Sequence, residues 1–162
     1  NKFKAGDILI GLASSGIHSN GFTLVRRIFK NKFRSEFVKP TKIYSDTLLP
    51  LFEKYNLHGR MHITGGAFTK LKDLLGKNRD AIITNTHKLK PQPIFYELYK
   101  KGVTDEEMYK TFNCGVGFVL SVRPKNAPAI LKETKGQIIG GVVGGSGKVR
   151  ISSMFSNQEI VV

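Results

Sequence analysis

A single cysteine in 162 residues, Cys114, leaves no internal disulfide to form and points to a reducing compartment. The four histidines are widely spaced, so no Cys/His metal cluster can be assembled and no metal ligand is expected. No apolar run approaches the ~18 residues that a membrane span requires. The opening Asn-Lys-Phe-Lys lacks the apolar stretch and cleavage site of a secretory signal. It also lacks an initiator methionine, so the expectation is a cytoplasmic chain cut from something longer. Acidic residues are scarce, 12 against 26 lysines and arginines, for a net charge of +14. Such a surface attracts polyanions. The cations are nevertheless dispersed, without a block of five, an RNP motif, a zinc finger or a basic heptad. The charge is therefore read as a lysine-rich solvated surface, with some cations facing an anionic small molecule, and neither nucleic acid nor membrane is an expected partner.

What remains is the balance of one ordinary globular domain, 40% hydrophobic and 23% charged, taken as a single unit over residues 1–162. Asp7 to Leu12 reads as a buried strand, followed by a polar Gly/Ser loop from Ala13 to Gly21. Phe22, Val25, Ile28 and Phe29 then recur at helical spacing. A second amphipathic helix is expected from Ser45 or Asp46 to Tyr55, with Pro50 early enough to sit among its unpaired first-turn donors. His62-Ile63-Thr64-Gly65-Gly66 repeats the theme of a short strand running into glycines, with a helix after it. Ala81–Ile83 reads as a strand, Pro93–Lys101 as a helix, and Thr104 to Glu107 as a capping box. Gly115–Val122 is the best strand candidate, Pro124 stops it, and Ala127–Glu133 is expected to be helical. Ile138–Val143 and Lys148–Ile151 flank a Gly-Gly-Ser-Gly turn and read as a hairpin. The interleaving predicts a mixed α/β fold, a layered sandwich around a mixed sheet.

Two stretches carry potential chemistry. In Ser14-Ser15-Gly16-Ile17-His18-Ser19-Asn20-Gly21, glycines admit a ligand to the backbone, hydroxyls and an amide offer hydrogen bonds, and a helix opens just after. His18 could add charge, a hydrogen bond or a proton shuttle. The same residues also suit a turn in which Ser19 or Asn20 caps the helix, and both readings stand. The second stretch, His62 to Gly66, would make another anion cradle if its glycines also open a helix. Gly144–Lys148 lacks the Ser/Thr and the helix of a phosphate loop. Cys114 reads as a buried thiol, and Asp105, Glu106 and Glu107 as first-turn acids complementing a helix dipole.

Several stretches, in order along nearly the whole chain, resemble one family. Gly6 to Gly21 is similar to the opening of the C-terminal domain of phosphoribosylformylglycinamidine cyclo-ligases, the AIR synthetase family. Pro40-Thr41-Lys42-Ile43-Tyr44, His62-Ile63-Thr64-Gly65-Gly66 and Glu107 to Gly117 resemble three further segments. The resemblance implies a two-domain, dimeric enzyme that uses ATP and magnesium to close the imidazole ring of formylglycinamidine ribonucleotide, with phosphate released. It implies an ATP-binding N-terminal half, whose Asp-Gly-Val-Gly-Thr-Lys signature is absent here, so this domain alone would be inactive. On those matches Ser15, Gly16, Ser19, Asn20 and Gly21 would cradle an anion and His18 would stabilise developing phosphate charge. His62, Thr64, Gly65 and Gly66 would line the opposite wall. Ala67 replaces the family's usual third glycine, and Lys70-Leu71-Lys72-Asp73 stands where an Asn-Ile-Pro-Arg-like segment is usual. The competing readings are a ligand-binding or assembly module that kept the fold, or another superfamily activity: selenophosphate synthetase, thiamine-monophosphate kinase or hydrogenase maturation.

Overall fold

The computed structural model describes residues 2–30 and 32–162. Short runs, β-branched or leucine-rich in all but β2, form the strands β1 (Ile8–Ala13), β2 (Gly59–His62), β3 (Arg79–Ile83), β4 (Val116–Val122), β5 (Gln137–Gly144), β6 (Val149–Ser152) and β7 (Glu159–Val161). Amphipathic segments form α1 (Phe22–Phe29), α2 (Ser45–Lys54), α3 (Lys72–Leu75), α4 (Pro93–Lys100), α5 (Asp105–Thr111) and α6 (Ala127–Thr134). The strands make one sheet in the order β2-β4-β1-β5-β3-β6-β7. Every pairing is antiparallel except β3 with β6, so the sheet is mixed.

Side chains alternate between the two sheet faces and build two cores. On one face Leu9, Val119, Ala81, Ile83 and Val149 pack with Val25 and Phe29 of α1, Phe95 and Leu98 of α4, and Met108 of α5. On the other, Ile10, Leu12, Leu120 and Val122 pack with Leu48 and Leu51 of α2 and Ala127 and Ile130 of α6. Burying each of the valine, leucine, isoleucine, phenylalanine and methionine side chains among them contributes roughly 1.5–3 kcal/mol. Helices on both faces of a mixed sheet make the expected sandwich.

Three local expectations are corrected. β5 and β6 are not a paired hairpin, because β3 lies between them. The cause is Asp80 near the start of β3, whose buried carboxylate accepts the amides of Ser146 (2.7 Å) and Lys148 (2.8 Å) and the Arg150 guanidinium (3.2 Å). Those bonds draw the glycine turn over the end of β3. Pro50 is not in the first turn of α2 but inside the helix. It lies on the exposed side, where water can solvate the carbonyl left without a donor. After Gly66 no α-helix opens directly: Gly66 and Ala67 are left-handed, at φ 80° and 41°, and a 3₁₀ turn over Ala67–Leu71 precedes α3.

Candidate functional site

β1 runs straight into the loop at residues 14–21, and α1 starts where the spacing placed it. Its N-cap is Gly21, left-handed at φ 71° and without a side-chain cap, so neither Ser19 nor Asn20 caps the helix. Instead Asn20 Nδ2 donates to the His18 carbonyl (2.8 Å). A Cβ on Gly21 would overlap the Phe112 ring, so the loop must approach that ring through glycine. Other supports come from distant segments. Asn113 Nδ2 donates to the Gly16 carbonyl (2.8 Å), and Gln92 Nε2 donates to the Ser14 carbonyl (3.0 Å).

His18 departs from the role expected of it. Its ring is 2% exposed. Nε2 accepts from the Ser15 amide (2.9 Å) and the Lys42 amide (3.4 Å), so the proton of the neutral ring sits on Nδ1. Nδ1 is enclosed and has no hydrogen-bond partner among the described residues. Burial, then His62 and Lys42, push the His18 pKa down to about 4. The imidazole is thus uncharged near neutrality and shapes the loop from inside, rather than offering positive charge to a ligand. Ser15 is also engaged internally, its amide with His18 and its hydroxyl donating to the Pro40 carbonyl (2.8 Å). Gly16 is buried.

The two stretches singled out in the sequence do meet. The centroids of the His18 and His62 rings are 5.9 Å apart, and Tyr44 lies 6.2 Å from His18 and 5.6 Å from His62. Tyr44 Oη donates to the Ala13 carbonyl (2.8 Å), and burial raises its pKa. His62 stacks on Phe118 at 5.8 Å, and burial followed by Lys70 lowers its pKa. Gly117 makes room for this cluster: a Cβ there would overlap the Tyr44 hydroxyl and come within 2.8 Å of His18 Cε1. Asn20 Oδ1 lies 3.2 Å from where a Cβ on Gly65 would stand, which joins the loop to the glycine turn. The solvent-facing rim therefore comprises Ser19, Asn20, Thr64, Gly65 and Gly66. Lys70 Nζ donates to Thr64 Oγ1 (3.3 Å), and Ser19 Oγ lies 3.5 Å from Thr41 Oγ1. Beside this rim, Lys42, Tyr44, Phe52, Arg60, His62 and Phe118 line a groove of about 490 Å³.

A family model described as "AIR synthase related protein, C-terminal domain" matches residues 4–152. The chain belongs to this family. Curated relatives named phosphoribosylformylglycinamidine cyclo-ligase include that of Clostridium perfringens, 44% identical over 83% of this chain and 43% of the relative. That of Clostridium botulinum (strain Langeland) is 38% identical over 93% of this chain and 50% of the relative. The chain thus spans about half the length of the curated relatives it matches. By fold it resembles E. coli HypE, with a TM-score of 0.68 at 18% identity over 99% of this chain and 50% of that one. It also resembles T. maritima PurL complexed with ADP, with a TM-score of 0.59 at 14% identity over 100% of this chain and 25% of that one.

Within this AIR synthase C-terminal domain the supports of the loop were the least legible part. Asn113, Gly117 and Tyr44 fall in segments that resemble the family, yet nothing in their spacing announced that they hold residues 14–21. Gln92 carried no signal, because a polar residue at a helix start is ordinary, and Lys70 stood out only as part of a segment that departs from the family pattern.

Proposed function

We propose that this chain is the substrate- and phosphate-facing half of an ATP-dependent cyclo-ligase that converts formylglycinamidine ribonucleotide to aminoimidazole ribonucleotide in purine biosynthesis. The observation that carries this reading is the meeting of the 14–21 loop with the Thr64–Gly66 turn, where Asn20 lies against Gly65. ATP with magnesium, in the complete enzyme, supplies the phosphoryl group that activates the formyl amide oxygen before an internal nitrogen closes the ring. Among the described residues no three His, Cys, Asp or Glu side chains converge on a point. Nucleotide and ion are assigned mainly to an N-terminal partner domain, in a cytoplasmic homodimer. The complex of T. maritima PurL with ADP supports nucleotide use within the fold.

The chain's own residues bind and orient. Ser19, Thr64 and the Gly65–Gly66 backbone present donors to the anion, joined by the one Asn20 Nδ2 hydrogen that the His18 carbonyl does not take, with the start of α1 behind them. Ser15, Gly16, Gly21 and the neutral His18 keep that loop in shape, which makes His18 a positioning residue. The 38–44% identity to named cyclo-ligases favours this activity over the other superfamily chemistries. The test joins this chain to the N-terminal half of the Clostridium perfringens relative and assays aminoimidazole ribonucleotide formation. Turnover by the fusion, none by the chain alone, and a fall in kcat/KM of at least about tenfold for Asn20→Ala are expected. A fusion that turns over equally well with Asn20→Ala refutes the assigned cradle.

A further inference from the structure

Lys70 is held in a way that exposed lysines are not. Its side chain folds back over the glycine turn, so that a Cβ on Gly66 would meet its Cγ and Cε at 3.5 Å. Its ammonium ends on the Thr64 hydroxyl at 3.3 Å, and it forms no ion pair among the described residues. Lys42, a second lysine near the paired imidazoles, has its ammonium 5.5 Å from the centroid of the Tyr44 ring and likewise pairs with no carboxylate among the described residues. Each lysine neighbours one of the two touching imidazoles, Lys70 by His62 and Lys42 by His18. The Lys70 ammonium beside the Thr64 hydroxyl and a glycine turn that admits close approach, with the Lys42 ammonium on the far side of the paired imidazoles, makes a corner suited to a doubly charged oxyanion. A phosphate monoester carries roughly −1.5 to −2 charge at neutral pH and three acceptor oxygens.

We propose that Lys70, with Thr64, Asn20 and the Gly65–Gly66 turn, is the phosphate-monoester corner of this cleft and that Lys42 is its second cation. The inference rests on the reading of the cleft given above and adds to it a residue and a ligand class. Lys70 lies in the segment that departs from the family pattern, whereas Asn20, Lys42, Thr64, Gly65 and Gly66 fall in stretches that resemble it, so Lys70 is what this chain adds to the corner.

The test is calorimetric titration of the 162-residue chain with ribose 5-phosphate, inorganic phosphate and ribose, in chloride buffer at fixed ionic strength. Ribose 5-phosphate is expected to bind more tightly than inorganic phosphate, and ribose not at all. Lys70→Met should weaken phosphate binding at least about tenfold, whereas Lys132→Met, on the exposed side of α6, should change it by less than about twofold. Circular dichroism melting checks that both variants fold. An equal loss from the two substitutions overturns the proposal in favour of bulk charge, and equal or tighter binding of inorganic phosphate overturns the monoester assignment. If Asn20→Ala abolishes binding while Lys70→Met does not, Lys70 falls and the cleft survives. Failure of the unaltered chain to bind either phosphate sinks both.

Discussion

His18 joins sequence, fold and site in one ring. The Gly/Ser loop around it has the look of an anion cradle, and the loop's geometry depends on an imidazole that accepts hydrogen bonds from Ser15 and Lys42 and meets no solvent. An acceptor in that position must stay unprotonated. Its folded pKa of about 4 lies below the ordinary 6.5, and His87 is displaced likewise, to about 4, by burial and then by Lys90. A depressed pKa means that the unfolded chain takes up protons first as the pH falls. The stabilising effect of keeping both rings neutral is therefore complete above 6.5 and is lost progressively between 6.5 and about 4. Urea midpoints should fall steadily from about pH 7 to about pH 4, and His87→Phe should flatten part of that fall. A midpoint that stays level over this interval contradicts the buried neutral assignment.

Elements were legible where local pattern and tertiary demand agreed. The helix at Phe22, the strand before the loop, the Thr104 cap, whose Oγ1 accepts the Glu107 amide at 3.3 Å, and buried Cys114 all follow from spacing and residue type. The pairing of β3, β5 and β6 did not, because a glycine-rich turn between two apolar runs looks the same whether those runs pair with each other or straddle a third strand. The deciding group is one carboxylate distant in sequence. Asp80 has its pKa lowered first by the Lys148 amide and then by the Ser146 amide, which marks it as an ionised acceptor for that turn. Asp80→Ala should cost about 1–3 kcal/mol in urea unfolding, since two amides lose their acceptor. It should also speed amide exchange at Ser146 and Lys148 ahead of the rest of the sheet. The site divides along the same line. The two glycine stretches stood out, whereas Lys70, Gln92 and Asn113 reach them only through folding.

At the scale of the molecule the imbalance of charge dominates. A chain at +14 repels itself, with 26 lysines and arginines against 12 acids, and among the described residues ion pairs join Arg34 to Glu36 and Glu97, Lys54 to Glu133, Lys110 to Glu106, and Arg150 to Asp80 and Glu159. Added salt screens the long-range repulsion more than it weakens such short contacts. Raising sodium chloride from about 0.05 M to about 0.5 M should therefore increase the melting temperature, and a decrease would show that the ion pairs outweigh the repulsion. The sheet order has a temporal consequence as well. β3 ends at Ile83, yet its first neighbour begins only at Gln137 and its second at Val149. While the chain leaves the ribosome, Ala81-Ile82-Ile83 waits with both edges open until β5 and β6 arrive on either side. A chain interrupted before Gln137 would leave that apolar segment as a template for aggregation, so synthesis through β5 and β6 is what makes the nascent domain safe.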